Sequence, residues 1–237
     1  MAKMTLDDLV GQLQKAFGAE LRAVVLYGSA ARGGGDHVAR KSDYNVLVIV
    51  DVLDADRLQA ASAAVRAWTD SGNPPPLLLT NGEWLGSADI FPMEYGDIFS
   101  SHKVLHGSLP GDITVDPSHL RLELEHEAMG TLLQLRRGLL ASGNDSKEQL
   151  SLLEASASTV MVIFRAFIRL AGEEAQRENA RLAQQAAEKA GFDAAPFLAA
   201  IRHKRGEEAI RAADAPRILA GYLAGMQRLV THLDEMG

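Results

Sequence analysis

Between residues 26 and 51 the chain runs LYGSAARGGGDHVARKSDYNVLVIVD, and this stretch constrains the fold more than any other. Residues 23–27, short, apolar and β-branched, read as a buried strand. A Gly28-Ser29 turn follows, then a basic, glycine-rich loop, then a second strand that opens with Asp43. Strand side chains alternate faces with a period of two, so Asp43 and Asn45 share a face with Leu47 and Ile49, and Val46, Val48 and Val50 take the other. A polar pair at the start of so apolar a strand predicts a strand mouth within reach of a ligand.

The rest of the first half alternates helix and strand. Thr5 and Asp8 have the spacing of a capping box, and Leu6, Leu9, Val10, Leu13 and Phe17 then recur at helical intervals up to Gly18. Asp54 caps a helix with Leu58, Ala61, Val65 and Trp68 on one face, stopped by Gly72-Asn73 and three prolines. Leu77–Thr80 reads as a third strand, and Thr80 with Glu83 as a second capping box. Residues 91–98 read as a further strand, with Pro92 at its edge or start and Glu94 on the face opposite Met93 and Tyr95.

Pro110-Gly111 and Asp116-Pro117 mark a boundary, beyond which strand signals vanish. Leu120, Leu124, Met129, Leu132, Leu135 and Leu139 predict one long helix, broken at Gly143-Asn144-Asp145. A second helix carries Leu150, Leu153, Val160, Ile163, Phe164, Phe167 and Leu170 up to Gly172, and further helices are predicted over 178–190, 192–205 and 216–235. The fold class expected is α+β: a mixed sheet with flanking helices over residues 1–110, then an all-α helical bundle over 117–237.

Composition narrows the function. Of 237 residues, 47% are hydrophobic and 23% charged, enough apolar material for a packed core. A formal net charge of −7 argues against a surface built throughout for nucleic acid. With no cysteine, disulfides and thiolate metal sites are excluded, which suits a reducing compartment. The amino terminus carries Asp7 and Asp8 and no apolar h-region, and no run approaches the ~18 apolar residues that span a bilayer. A cytoplasmic protein without a membrane partner is the expectation, and the leucine-rich helical half is compatible with a homodimer.

The order of turn, spacer and strand resembles the signature of the DNA polymerase β-like nucleotidyltransferase superfamily. In that signature a hydrophobic residue precedes Gly-Ser, and after roughly ten residues Asp-x-Asp opens a strand. Here it is Gly28-Ser29, a spacer at the long end of the range, and Asp43-Tyr44-Asn45, with an amide where the second carboxylate stands. The Ser-Ala-Ala-Arg-Gly run and the Ser42-Asp43 pair resemble small bacterial members, over about the first 107 residues. The resemblance implies a third carboxylate on a later strand, followed by a Val-Leu-x-Gly segment. Val104-Leu105-His106-Gly107 fits that sequel, making Glu94 the candidate and Asp97 the fallback.

The activity so implied is transfer of a nucleoside monophosphate from an NTP to an acceptor hydroxyl, on a small molecule or a protein, with Mg2+. Asp43, Asn45 and Glu94 would be the catalytic and metal residues; Gly28, Ser29, Arg32 and Lys41 would hold the nucleotide, and the helical half would choose the acceptor. The residue types suit that chemistry. Magnesium takes hard oxygen ligands, small turn residues let backbone N–H groups approach phosphate, and Arg32, Arg40 and Lys41 supply positive charge. Asn45 can coordinate magnesium but brings no charge, so weakened transfer or a non-catalytic nucleotide- or partner-binding role is the second expectation. Arg121 and His126 form the Arg-x4-His of HEPN-type ribonucleases; a five-residue offset on a helix misaligns them, and Glu123, Glu125 and Glu127 would repel RNA.

Overall fold

The computed structural model describes residues 3–32 and 44–236. Two compact units divide the chain, Met1–Asp116 and Pro117–Gly237. The first is organised on a four-stranded sheet of order β3-β2-β1-β4, with β1 Leu21–Tyr27, β2 Asn45–Val50, β3 Leu77–Thr80 and β4 His102–Gly107. Central β1 is antiparallel to β2 and β4, and β2 is parallel to β3. Among the described residues five α-helices accompany it: α1 Leu6–Phe17, the single-turn α2 Ser29–Arg32, α3 Ala55–Asp70, α4 Asn81–Gly86 and α5 Pro92–Ser100.

Local signals place these elements. The Thr5 hydroxyl accepts the Asp8 N–H at 3.1 Å while the Asp8 carboxylate accepts the Thr5 N–H at 3.0 Å, so both ends of the capping box close at the start of α1. Thr80 and Glu83 do the same for α4. The Asp54 carboxylate accepts the Arg57 N–H and starts α3.

Strand alternation divides the core into two faces. Val24, Leu26, Val46, Val48 and Val50 pack on one face with Leu9, Leu13 and Phe17 of α1 and Ala61 and Trp68 of α3. Ala23, Val25, Leu47 and Ile49 pack on the other with Trp84 of α4 and Tyr95 and Ile98 of α5. Each fully buried aliphatic side chain contributes roughly 1.5–3 kcal/mol. Surface ion pairs such as Arg22–Asp51 at 2.6 Å contribute at most about 1 kcal/mol, so the two apolar faces hold the unit together.

Two expectations over this unit change. Leu58 is exposed, because α3 turns Ala61, Ala64 and Trp68 inward instead. The strand expected over 91–98 is helix α5: Pro92 sits at the first helical positions, where its missing N–H costs nothing, and Tyr95, Ile98 and Phe99 share one face at helical spacing. The strand comes next, as β4.

The second unit is helical: α6 Pro117–Ser142, α7 Ser146–Leu170, α8 Asn179–Ala190, α9 Ala195–Arg205 and α10 Ala215–Glu235. The Asp145 carboxylate caps α7 by accepting the Lys147 N–H at 2.8 Å. Helix α7 packs against the other four, and Phe164, Phe167 and Ile168 are buried within them. It is also the one helix among the described residues long and apolar enough to cross a membrane, with 56% of its apolar window buried inside the fold. Met129, read with the core leucines, is exposed; α6 buries Leu120, Leu124, Ala128, Thr131, Leu132 and Leu135.

Candidate functional site

Chemistry-bearing residues gather at one end of the first unit's sheet. Register sets a row of three across it: Asn45 of β2 pairs with Tyr27 of β1, and Tyr27 pairs with His102 of β4. Residues directly opposite in antiparallel strands point to the same face. That is the face of Leu47, Ile49 and Val25, since Tyr27 packs with the cluster around Trp84. The row therefore continues an apolar face and ends it in an amide, a phenol and an imidazole.

Gly28 follows Tyr27 with φ +76°, a conformation that favours glycine. A Cβ built there would lie 2.9 Å from the Asn45 side-chain amide nitrogen, so the turn and the Asn45 side chain are in close approach. The Gly28 carbonyl accepts the Arg32 N–H at 3.1 Å, closing the single turn of α2. Ser29 and Arg32 are half-buried at its two ends.

Helix α5 brings two carboxylates to this end. Glu94 is exposed and Asp97, one turn later, is 8% exposed. Both act on Tyr27: burial pushes the phenol above its ordinary pKa, and the charges of Glu94 and then Asp97 push it further. Neither stands on a strand, and β4 carries no carboxylate. Helix α5 is fixed from beneath: the buried Tyr95 hydroxyl donates to the Trp84 carbonyl at 2.6 Å, and their rings stack with centroids 4.4 Å apart.

Of the residues singled out in the sequence, Gly28, Ser29, Arg32, Asn45 and Glu94 are placed as above. Asp43, Lys41 and Arg40 lie outside the described residues. The oxygens on view are the right kind for magnesium, a side-chain amide and two carboxylates. Tyr27 and His102 were missed. They have no motif in the sequence, and only the pairing of strands far apart in the chain makes them neighbours of Asn45.

His102 and His106 have a spacing that chelates a metal on a helix, but on strand β4, at ~3.3 Å per residue, they lie about 13 Å apart. An irregularity in the register between β1 and β4 also turns them to different faces: His102 pairs with Tyr27 and bonds the Ile98 carbonyl at 2.8 Å, whereas His106 pairs with Val24 and meets Gln14 of α1 at 2.9 Å. Among the described residues no group of three or more His, Asp or Glu side chains is placed to hold a metal ion. In the second unit, the Arg121 guanidinium is engaged by Glu125 at 2.7 Å and by the Leu233 carbonyl at 3.3 Å, away from the exposed His126.

Scanned against protein-family models and searched against curated proteins, the chain matches neither a family model nor a curated relative.

Proposed function

We propose that the first unit is a nucleotidyltransferase-like domain that binds an NTP at the Gly28 end of its sheet, with the helical unit as an accompanying bundle. The observation that carries this reading is the close approach of the Gly28 backbone to the Asn45 side chain, with the α5 carboxylates near the adjoining Tyr27. A turn with no side chain, followed at once by a serine and, one helical turn on, an arginine, suits a phosphate chain. Bound magnesium would supply positive charge to that chain, and Asn45, Glu94 and Asp97 are the described residues that would hold it. Ser29 and Arg32 would position the triphosphate. In the transfer itself the acceptor oxygen bonds to the α-phosphorus, the α–β bridging bond breaks, pyrophosphate leaves, and Glu94 or Asp97 receives the hydroxyl proton.

Asn45 favours a second reading in which the unit binds nucleotide without turning it over. Replacing a carboxylate by an amide removes one negative charge from the cation site, which costs an enzyme of this kind several kcal/mol of transition-state stabilisation. Titration calorimetry with each NTP and MgCl2, on the protein and on Asn45→Asp, tests both. The expected outcome is NTP binding by both proteins and tighter magnesium binding by Asn45→Asp. Transfer of radiolabel from α-labelled NTP in manganese then separates a slow enzyme from a binder. No heat with any NTP, before and after the substitution, removes the nucleotide site.

A further inference from the structure

Helix α6 is apolar on two faces. One, carrying Leu120, Leu124, Ala128, Leu132 and Leu135, is buried against α7 and α10. The other carries Leu122, Met129, Leu133 and Leu140 in the open, with Leu140 84%, Leu122 69% and the middle two each 40% exposed. At about 100° per residue these four fall within about 40° of one another, nearly opposite the buried stripe. With His126 and Arg136 between them, their spacing alternates four and three residues from Leu122 to Leu140, the seam of a two-helix coiled coil.

The stripe is symmetric about Thr131. Leu122 and Leu140 stand nine residues either side of it, Met129 and Leu133 two either side. The charge is antisymmetric in sum: Glu123, Glu125 and Glu127 with Arg121 give −2 before the centre, and Arg136 and Arg137 give +2 after it, Glu125 also engaging Arg121 within its own helix. A two-fold axis running beside the exposed stripe, level with Thr131 and perpendicular to α6, lays a second α6 antiparallel to the first. Leu122 of each copy then meets Leu140 of the other, Met129 meets Leu133, and Glu125 lies along the same edge as the other copy's Arg136. Parallel pairing would set Glu against Glu and Arg against Arg.

The geometry points to this face of α6 as a self-association surface whose partner is a second copy of the chain, antiparallel about Thr131. The strip is about 27 Å long at 1.5 Å per residue and belongs with the smaller specific interfaces, so the dimer dissociates reversibly on dilution. Neither Leu133 nor Met129 takes part in the candidate nucleotide site, and the inference is independent of that reading.

Sedimentation velocity across a concentration series on the full chain tests it. Leu133→Glu places a charge on an exposed position at the seam, so it leaves the circular dichroism and melting temperature unchanged while weakening the dimer about tenfold or more. Arg136→Glu weakens it several-fold, and Glu125→Gln, which leaves a polar partner for Arg121, weakens it less. Because the protein has no cysteine, Leu122→Cys and Leu140→Cys chains can be mixed and treated with a short bis-maleimide. The antiparallel arrangement predicts cross-links joining a Leu122→Cys chain to a Leu140→Cys chain in preference to links between two Leu122→Cys chains. A monomer at every concentration overturns the inference, as does a dimer indifferent to Leu133→Glu or one in which Leu122→Cys chains cross-link preferentially to each other.

Discussion

The two tryptophans occupy matching places on opposite faces of one sheet, and they differ in what surrounds them. Trp68 and Trp84 are both fully buried, and each indole N–H donates to a proline carbonyl, Pro74 at 3.0 Å and Pro110 at 2.8 Å. Trp68 sits among valines and the leucines of α1, with the Tyr44 ring tilted at 6.1 Å. Trp84 sits in an aromatic stack with Tyr95 and Phe99, beneath the helix that brings Glu94 and Asp97 to Tyr27. The valine face also seats Ala30 and Ala31 of α2, the turn that carries Ser29 and Arg32. The other uses buried rings to hold a polar edge in place as well, so the two faces differ in how they support the site.

The largest effect is expected from the tryptophans. Trp68→Ala and Trp84→Ala should each cost about 3–5 kcal/mol by urea denaturation, the usual range for removing a buried aromatic. The comparison is sharpened by the milder Trp68→Phe and Trp84→Phe, each of which leaves a single tryptophan as a fluorescent reporter. If the aromatic face supports the nucleotide site, NTP binding changes the emission of Trp84 in Trp68→Phe and leaves that of Trp68 in Trp84→Phe nearly still. Equal responses would break the distinction between the faces.

Gly28→Ala comes next. The positive φ and the 2.9 Å approach to Asn45 both oppose a Cβ, and strain of this kind costs about 1–3 kcal/mol. The clash can be isolated from the backbone cost: in the Asn45→Ala background, where the amide is gone, Gly28→Ala should cost measurably less. Additive costs in that cycle would mean that the turn and the strand residue do not touch, and the shared site would lose its geometric basis.

How much of this was legible in the chain depended on whether the signal was local. Thr5, Asp54, Thr80, Gly143 and Gly191 announced element ends because caps and left-handed glycines act within a few residues, and in the second unit the apolar rows between such breaks made the helices readable. The 91–98 segment was not. Phe91, Met93 and Tyr95 alternate as in a strand, Tyr95, Ile98 and Phe99 recur as in a helix, and a run this short carries both periods. Only its packing on Trp84 decides for the helix. Met129 was misread for a related reason, since α6 is apolar on two faces and a period count does not say which one is buried. At the candidate site, Gly28 and Asn45 stood out as a motif, whereas Tyr27 and His102 depend on register between distant strands, which no short stretch encodes.

The smallest effect, and the finest test of the two faces, comes from the paired capping boxes. Thr5→Ala and Thr80→Ala remove the same hydroxyl from the same position, at the starts of α1 and α4, and each should cost about 1 kcal/mol of stability. Their further consequences should differ. Helix α1 packs Leu9, Leu13 and Phe17 on the valine face, on the other side of the sheet from the rings that seat α5. Helix α4 is a short element whose Trp84 carbonyl receives the Tyr95 hydroxyl, so loosening its first turn loosens the seat of α5. Thr80→Ala should therefore weaken NTP binding by calorimetry while the protein is still fully folded, and Thr5→Ala should not. Equal affinities in the two variants would mean that α5 is held by its own contacts with the sheet, and that the first turn of α4 does not position the site.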